Sequence, residues 1–187
     1  MLNQYFGIPI YFTQLDNVTL QPVLLELYKN VGEKIYPNLG NAYLTFGHKK
    51  SVLPIEINNL IINEFSNYLN ELKIPFKKLN MLNDWFVGYG QNQYIDIHDH
   101  GTDSNLFSGI YYVKSTDDSP NLEIVTPNPY YEHIFHQTIY NEFKNIVYIK
   151  PIEGNLLFWP SFLRHYVRAN PTTSERIAVS FNIGVEQ

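Results

Sequence analysis

The chain has 187 residues, no cysteine and a formal net charge of −5 at pH 7. The length predicts one domain with a sizeable core, and the lack of cysteine excludes disulfides, thiolate metal sites and cysteine nucleophiles. The acidic balance argues against a general nucleic-acid binder, which needs a basic face. No apolar run reaches the ~20 residues that span a bilayer and no signal peptide is visible, so we expect a soluble intracellular protein.

The first 75 residues predict an extended segment followed by two helices. Residues 1–15 alternate apolar and polar types and contain Pro9, which is typical of an edge strand because proline lacks an N–H for the sheet ladder. Apolar residues recur at helical spacing over 23–31 and, more clearly, over 57–72. The second of these helices is predicted to end before Pro75.

From residue 76 the chain changes to short segments rich in β-branched and aromatic residues. Eight strands are predicted, over 82–89, 93–100, 107–114, 122–126, 146–150, 155–160, 165–169 and 176–183. Many short strands at this spacing predict an antiparallel sandwich or barrel, with the helices packed against one sheet. We therefore expect a single mainly β domain, in which 76–187 form the core. Residues 128–145 predict a hairpin or a loop over a pocket.

Three histidines are candidates for a metal site. His98 and His100 are two residues apart on a predicted strand, where alternate side chains share a face, so both imidazoles could reach one ion. His165 lies far along the chain and could supply a third ligand from another strand. A His-x-His pair alone is a weak signal. Asp99 is expected to point away, whereas Asp96 shares the face of His98 and forms a competing ligand pair with it.

Arg176 opens the last predicted strand, which is otherwise apolar, and follows His165 by 11 residues. Both side chains could therefore face the same interior. A buried guanidinium needs an anion, and its planar shape matches a carboxylate through two hydrogen bonds. A metal site with an arginine deeper in the same barrel suits a dicarboxylate that chelates the metal at one end and pairs with the arginine at the other.

Four stretches of sequence together resemble the oxygenases that use iron(II) and 2-oxoglutarate. These are His-Asp-His-Gly at 98–101, Leu-Phe-Ser-Gly-Ile-Tyr-Tyr-Val-Lys at 106–114, the segment 151–165 that ends Pro-Ser-Phe-Leu-Arg-His, and Glu-Arg-Ile-Ala-Val-Ser-Phe-Asn at 175–182. Their order within about 82–183 is similar to a bacterial and phage branch of that family, which is related in fold to prolyl hydroxylases. The resemblance implies a double-stranded β-helix, or jelly roll, and a cytoplasmic location in a bacterial cell or a phage-infected host.

The resemblance also implies roles for single residues. His98 would be the first iron ligand, His165 the distal one, and Arg176 would bind the C5 carboxylate of 2-oxoglutarate. The 2-oxo acid end would chelate iron and leave one position for dioxygen. The implied reaction hydroxylates a C–H bond of a peptidyl or small-molecule substrate and releases succinate and carbon dioxide. Iron and co-substrate carry that chemistry, while the protein orients and shields it.

The second iron ligand departs from the family pattern, in which an acid commonly stands two residues after the first histidine. Here that position is His100. His100 could itself ligate, Asp99 could turn inward through a strand distortion, or Asp96 could pair with His98 while His100 lies behind them. We favour three histidines, because the His-x-His spacing satisfies strand geometry without distortion.

Several further residues are candidates for the pocket. The aromatic candidates for its walls are Tyr94, Tyr111, Phe158 and Trp159, with core packing as the ordinary alternative for each. Tyr94, Tyr111 and Asn182 are also candidates for binding the co-substrate. Ser108 and Gly109 lie on the strand after the histidine pair and are expected to make room for the pocket, or for close strand packing.

Two other functions compete with the oxygenase. One is a three-histidine, cupin-type dioxygenase or isomerase that does not use 2-oxoglutarate, although Arg176 argues against it. The other is a jelly-roll binding or structural module with a vestigial metal site, since a fold does not determine function. The primary substrate cannot be read from the sequence, nucleic acid is not an expected partner, and edge strands with exposed aromatic residues allow a homodimer.

Overall fold

A computed structural model describes residues 2–5, 7–31, 34–35, 39–45, 51–101, 106–128 and 145–187. Within these ranges the chain forms two helices and twelve strands, and no helix there is long and apolar enough to cross a membrane. Three of the six histidines, His48, His133 and His136, lie outside the described residues. The predicted hairpin or loop over 128–145 also lies outside them, apart from its two end residues.

The helices are α1 (Asn17–Asn30) and α2 (Ile55–Glu71). The side chain of Asp16 caps α1 by accepting a hydrogen bond from the Val18 N–H at 3.1 Å, which satisfies one of the unpaired donors of the first turn. The buried face of α2 includes the apolar residues Ile57, Ile61, Phe65, Tyr68 and Leu69. These residues recur every three or four positions, so α2 buries one continuous stripe.

The larger of two sheets has eight antiparallel strands. Its spatial order is β1 (Leu2–Tyr5), β2 (Ile8–Gln14), β10 (Asn155–Pro160), β7 (Phe107–Lys114), β12 (Arg176–Glu186), β5 (Lys78–Tyr89), β4 (Tyr43–Leu44) and β3 (Lys34–Ile35). The predicted edge segment thus holds one edge strand, β1, and one interior strand, β2. Pro9 lies outside the part of β2 that pairs with β10, so its lack of an N–H costs that ladder nothing.

The smaller sheet has four antiparallel strands, in the order β6 (Ile95–His98), β11 (His165–Val167), β8 (Leu122–Val125) and β9 (Ile146–Ile149). Each of the eight strands predicted after residue 76 has a counterpart in one of the two sheets. The short strands β3 and β4 were not predicted. The expectation of a mainly β fold with antiparallel sheets is confirmed.

The larger sheet buries side chains on both faces. The face toward the smaller sheet packs with it in one apolar cluster that includes Trp85, Val87, Tyr89, Ile110, Tyr112, Ile124, Trp159 and Val167. The face toward the helices packs in a second cluster that includes Leu24, Phe65, Tyr68, Phe86, Tyr111, Phe158 and Phe181. Successive residues of a strand therefore belong to different layers, and side chains of the first cluster face the space between the sheets.

Candidate active site

The structure brings three histidines together on the inner side of the smaller sheet. His98 ends β6, His165 begins β11, and the two are direct partners across the antiparallel ladder. His100 follows β6 by two residues, and its backbone N–H donates to the Ser161 carbonyl at 3.0 Å. One ring nitrogen of each histidine lies within 4.8 Å of those of the other two. We call His98, His100 and His165 the three-histidine group.

The Nδ1 atom of every member of the group has an oxygen partner. These partners are the Asp96 carbonyl for His98 at 2.7 Å, the Leu163 carbonyl for His165 at 3.0 Å, and the Asn182 side-chain oxygen for His100 at 3.0 Å. Because a carbonyl oxygen only accepts, each Nδ1 carries the ring proton and the lone pair lies on Nε2. Outer partners of this kind orient histidine ligands in metal sites.

The surroundings keep the group uncharged. Burial lowers the pKa of all three imidazoles, and the neighbouring histidines lower the pKa of His100 and His165 further. The pKa of His100 falls to about 4. At neutral pH the group is therefore a set of three neutral nitrogen donors, the form that binds metal.

The carboxylates of Asp96 and Asp99, which were the alternatives to His100 as iron ligands, are not part of the three-histidine group. Asp96 and Asp99 are both exposed, and within the described ranges the only cluster of histidine and acidic side chains close enough to share an ion is the three-histidine group. Asp96 contacts His98 through its backbone carbonyl. The Asp99 carboxylate accepts a hydrogen bond from the Gly101 N–H at 3.2 Å, which holds it in the surface turn.

A cavity between the sheets adjoins the three-histidine group. Its lining comes from both sheets and includes Trp85, Tyr89, Ile110, Leu122, Trp159 and Val167. Trp159 packs edge-on against His165, with ring centroids 5.3 Å apart. The cavity thus extends from the histidines to Tyr89, whose ring lies against Arg176.

Arg176 is fully buried at the start of β12. Its guanidinium carbon lies 4.8 Å from the centroid of the Tyr89 ring and 5.1 Å from that of Tyr112. We call these three residues the Arg176 pocket. None of the three guanidinium nitrogens makes a hydrogen bond of normal length and angle, and the Tyr89 and Tyr112 hydroxyls make only weaker polar contacts with them. No ion pair among the described residues includes Arg176. A buried cation is costly unless paired, so the pocket fits an anionic ligand.

Two further buried donors accompany the guanidinium. The Tyr112 hydroxyl and the Trp159 indole N–H are both buried without a hydrogen-bond partner. Burial raises the pKa of Tyr89 to about 12 and also raises that of Tyr112, although Arg176 opposes both shifts. Both phenols therefore stay protonated at neutral pH, and the Tyr112 hydroxyl can donate to an anion. Orphaned buried donors are uncommon and call for a partner.

Three of the aromatic pocket candidates lie away from the cavity next to the three-histidine group. Tyr111 faces the helices and donates its hydroxyl proton to the Asn17 side-chain oxygen at 2.7 Å. Phe158 packs in the same helix-side cluster. Tyr94 is 39% exposed and lines an outer groove on the smaller sheet. Only Trp159 of the four candidates lines the cavity.

Two residues of the Arg176 pocket, Tyr112 and Tyr89, were not singled out in the sequence. Tyr112 follows Tyr111, and Tyr89 is the register partner of Arg176. Because side chains alternate along a strand, an error of one residue moves the assignment to the opposite face. The pairing of Arg176 with the end of β5 is the signal that could have identified Tyr89.

Asn182 lies in a different place from that predicted, while Ser108 and Gly109 lie close to neighbouring strands. The Asn182 side chain bonds to His100 rather than lining the Arg176 pocket. Ser108 belongs to the same hydrogen-bond network. A Cβ atom at Gly109 would overlap with the Phe181 ring and lie 2.6 Å from the Leu157 carbonyl, so glycine is required there for close packing. Gly109 also lines the cavity, so its position agrees with both expectations.

A family model described as "Putative 2OG-Fe(II) oxygenase" matches residues 83–182, which is more than half of the chain. No curated protein matches the chain. The matched range contains the three-histidine group and the Arg176 pocket.

Solved structures with similar folds are 2-oxoglutarate oxygenases. They include a prolyl-4-hydroxylase from Pseudomonas putida (TM-score 0.65, 11% identity, covering 95% of this chain and 92% of that one). They also include the viral collagen prolyl hydroxylase of Paramecium Bursaria Chlorella virus-1 in complex with 2-oxoglutarate (0.62, 15%, 95% and 96%). A third is HygX from Streptomyces hygroscopicus with nickel, 2-oxoglutarate and hygromycin B bound (0.59, 10%, 94% and 82%). These likenesses show the fold, and the family match shows that this chain belongs to the 2-oxoglutarate- and iron(II)-dependent oxygenases.

Proposed function

We propose that this oxygenase hydroxylates a C–H bond of a peptidyl or small-molecule substrate. In the balanced reaction, one atom of dioxygen enters the substrate as a hydroxyl group and the other enters succinate, while 2-oxoglutarate loses carbon dioxide. Two of the similar folds are named as prolyl hydroxylases and a third was solved with the aminoglycoside hygromycin B, which supports both substrate classes.

The three-histidine group would hold the iron through its three Nε2 atoms. Its donor set fits the ion, because imidazole suits iron(II) and all three rings are neutral and oriented by partners on Nδ1. Iron bound there, together with 2-oxoglutarate, would activate dioxygen. The chain's own contribution is to hold three donors within 4.8 Å of one another and to keep them unprotonated.

Arg176 would bind the carboxylate of 2-oxoglutarate that lies farther from the metal. The observation that carries the proposal is a fully buried guanidinium without a counter-ion among the described residues. It packs against Tyr89, and Tyr89 lines the same cavity as the three-histidine group. The Tyr112 hydroxyl and the Trp159 indole N–H are additional donors for an anionic co-substrate. Two charge-assisted hydrogen bonds from the guanidinium would fix the orientation of the dicarboxylate.

Anaerobic absorbance titrations test the cofactor assignment. Iron(II) together with 2-oxoglutarate should produce a metal-to-ligand charge-transfer band that neither produces alone. The band should disappear in His98→Ala and His165→Ala, and Asp99→Ala is the matched control that should retain it. Iron binding without any response to 2-oxoglutarate would favour the cupin-type enzyme. Binding of neither at saturating concentrations would favour the binding module.

Product analysis tests the reaction type. In air with iron(II), we expect succinate to form from 2-oxoglutarate, and a panel of proline-containing peptides and aminoglycosides can be screened by mass spectrometry. The hydroxylase proposal expects a product that gains one oxygen atom, taken from labelled dioxygen. A product that loses two hydrogen atoms and gains no oxygen would contradict hydroxylation.

A further inference from the structure

His100 differs from the other two members of the three-histidine group in the partners of its Nδ1 atom. His98 and His165 face backbone carbonyls, which only accept a proton. His100 faces two side chains, the Asn182 oxygen at 3.0 Å and the Ser108 hydroxyl at 3.2 Å. A hydroxyl can donate or accept, so Ser108 alone would leave the tautomer of His100 undetermined.

The hydrogen bonds of Asn182 remove that ambiguity. Its side-chain nitrogen donates to the Asn83 side-chain oxygen at 2.8 Å, which leaves only its oxygen facing His100 and Ser108. The Ser108 hydroxyl proton is donated to this oxygen at 2.9 Å. Ser108 can then only accept, from the Ser161 hydroxyl at 2.9 Å and from His100. The hydrogen bonds of the His100 Nδ1 atom with Asn182 and Ser108 therefore both require the imidazole to be the donor.

The hydrogen-bond network of Asn182 is buried and spans three adjacent strands. Ser108 and Ser161 are almost completely buried and Asn182 is 6% exposed, so few competing water contacts are available. Asn182 also stands directly opposite Ser108 across the ladder between β12 and β7 and opposite Asn83 across the ladder with β5. Three adjacent strands therefore hold the amide in one orientation, and buried hydrogen bonds are costly to leave unmade.

We propose that Asn182 is a positioning residue that keeps the proton of His100 on Nδ1 and so directs its Nε2 lone pair to the iron. The proposal rests on the proposed function, in which the three-histidine group holds the metal. It assigns Asn182 to the metal centre instead of the co-substrate. It also explains how a histidine is accommodated where the family commonly has an acid, since a neutral amide acceptor suits a neutral imidazole ligand.

Removing the Asn182 acceptor should reverse the tautomer. In Asn182→Leu the Ser108 hydroxyl loses its acceptor and can donate to Nδ1 of His100, which moves the ring proton to Nε2. In Ser108→Ala the Asn182 oxygen remains, so Nδ1 should stay protonated. In Asn182→Asp the carboxylate still only accepts and should preserve the wild-type tautomer. Ser108→Ala is the matched control, because it removes an equally buried partner of the same ring.

Nitrogen-15 histidine correlation spectra of the metal-free protein read the tautomer directly, and cobalt(II) titrations followed by d–d absorbance read metal affinity. We expect the tautomer to change only in Asn182→Leu, together with a loss of cobalt(II) affinity of about 10- to 100-fold. Ser108→Ala and Asn182→Asp should keep affinity within about threefold of wild type or above it. The double variant Ser108→Ala/Asn182→Leu should recover part of the loss, since no hydroxyl remains to donate.

Each outcome bears on a separate claim. A metal-free wild-type protein with the His100 proton on Nε2 would overturn the proposal even if Asn182→Leu failed to fold. Equal affinity losses in Asn182→Leu and Ser108→Ala would also overturn it. If the wild-type protein shows the expected tautomer but binds no cobalt(II), the proposed metal centre fails while the positioning of His100 stands.

Discussion

Replacing Arg176 with Met should change stability and co-substrate binding in opposite directions. The guanidinium is fully buried, makes no hydrogen bond of normal length and angle, and has no counter-ion among the described residues. In the protein without 2-oxoglutarate this charge is a cost to folding, and an apolar side chain of similar length removes it. In the proposed complex with 2-oxoglutarate the same charge would pair with a carboxylate, and its removal would leave that carboxylate buried without a partner.

The two magnitudes follow from the surroundings of Arg176. Replacing a buried charge by an apolar side chain of similar volume stabilises by about 1–4 kcal/mol. Cation–π contacts with Tyr89 and Tyr112 offset up to about 2 kcal/mol of that gain. We expect a net gain of about 1 kcal/mol, which raises Tm by about 2–4 °C for a chain of this size. The loss on binding is about 2–5 kcal/mol, equal to roughly a 30- to 5,000-fold weaker affinity for 2-oxoglutarate.

The assay combines thermal unfolding without 2-oxoglutarate and anaerobic titration of the iron(II) form with it. Arg168→Met is the matched control, because Arg168 is exposed and pairs with the buried carboxylate of Glu123 at 2.5 Å and 3.1 Å. Its loss leaves a buried acid unpaired and should lower stability by about 1–3 kcal/mol without affecting 2-oxoglutarate affinity. Lower stability of Arg176→Met together with unchanged 2-oxoglutarate affinity would refute the anion-pocket assignment.

Three further predictions concern the same cavity. Tyr112→Phe should weaken 2-oxoglutarate binding by about 5- to 10-fold, the equivalent of one hydrogen bond, whereas Tyr111→Phe should affect only stability through its bond to Asn17; titration of both variants checks this, and equal effects on binding would contradict it. The metal-free protein should lose stability as pH falls below the ordinary histidine value of 6.5. The unfolded chain then takes up protons that the folded three-histidine group, with its lowered pKa values, does not bind. The slope should reach at most about 4 kcal/mol per pH unit for three protons, and denaturant unfolding at several pH values measures it; a flat profile between pH 6.5 and 5 would contradict the buried, neutral state. Cobalt(II) at 100 times its Kd should add about 2.7 kcal/mol to the free energy of unfolding of the wild type, and a chelator should remove this gain. In His165→Ala, cobalt(II) should not raise the free energy of unfolding, so a chelator should have no effect.

The three histidines and Arg176 could be singled out in the sequence because the chemistry of their side chains limits their surroundings. His98 and His100 share a face by strand alternation, and Arg176 in an apolar strand requires an anion. The prediction that His165 joins His98 and His100 required only that a β-sandwich bring separate strands together. In the structure, one ring nitrogen of each histidine lies within 4.8 Å of those of the other two. The mainly β fold followed from the same alternation and from regularly spaced turns.

For uncharged side chains, the face of the strand on which each one lies could not be predicted from the sequence. All six residues from Ser108 to Val113 in β7 are buried, because this strand lies between the smaller sheet and the helices. A strand buried on both faces shows no alternation of polar and apolar residues, so nothing in the sequence tells whether Tyr111 or Tyr112 points to the cavity. The role of Asn182 was hidden for the same reason, since β12 is buried along most of its length.

The charge at the proposed metal centre should couple the binding of iron to the binding of 2-oxoglutarate. Three neutral imidazoles contribute no negative charge as ligands of a divalent ion, whereas a site with one acid ligand would cancel part of the ion's charge. In the proposed complex the dianion 2-oxoglutarate would bring negative charge, with one end at the metal and the other at Arg176. In a buried site this electrostatic interaction is weakly screened, so iron and co-substrate should each strengthen the binding of the other by the same factor. A centre of this composition would therefore hold its metal most firmly when the co-substrate is present, and we expect that linkage to be larger with His100 in this place than with an acid ligand.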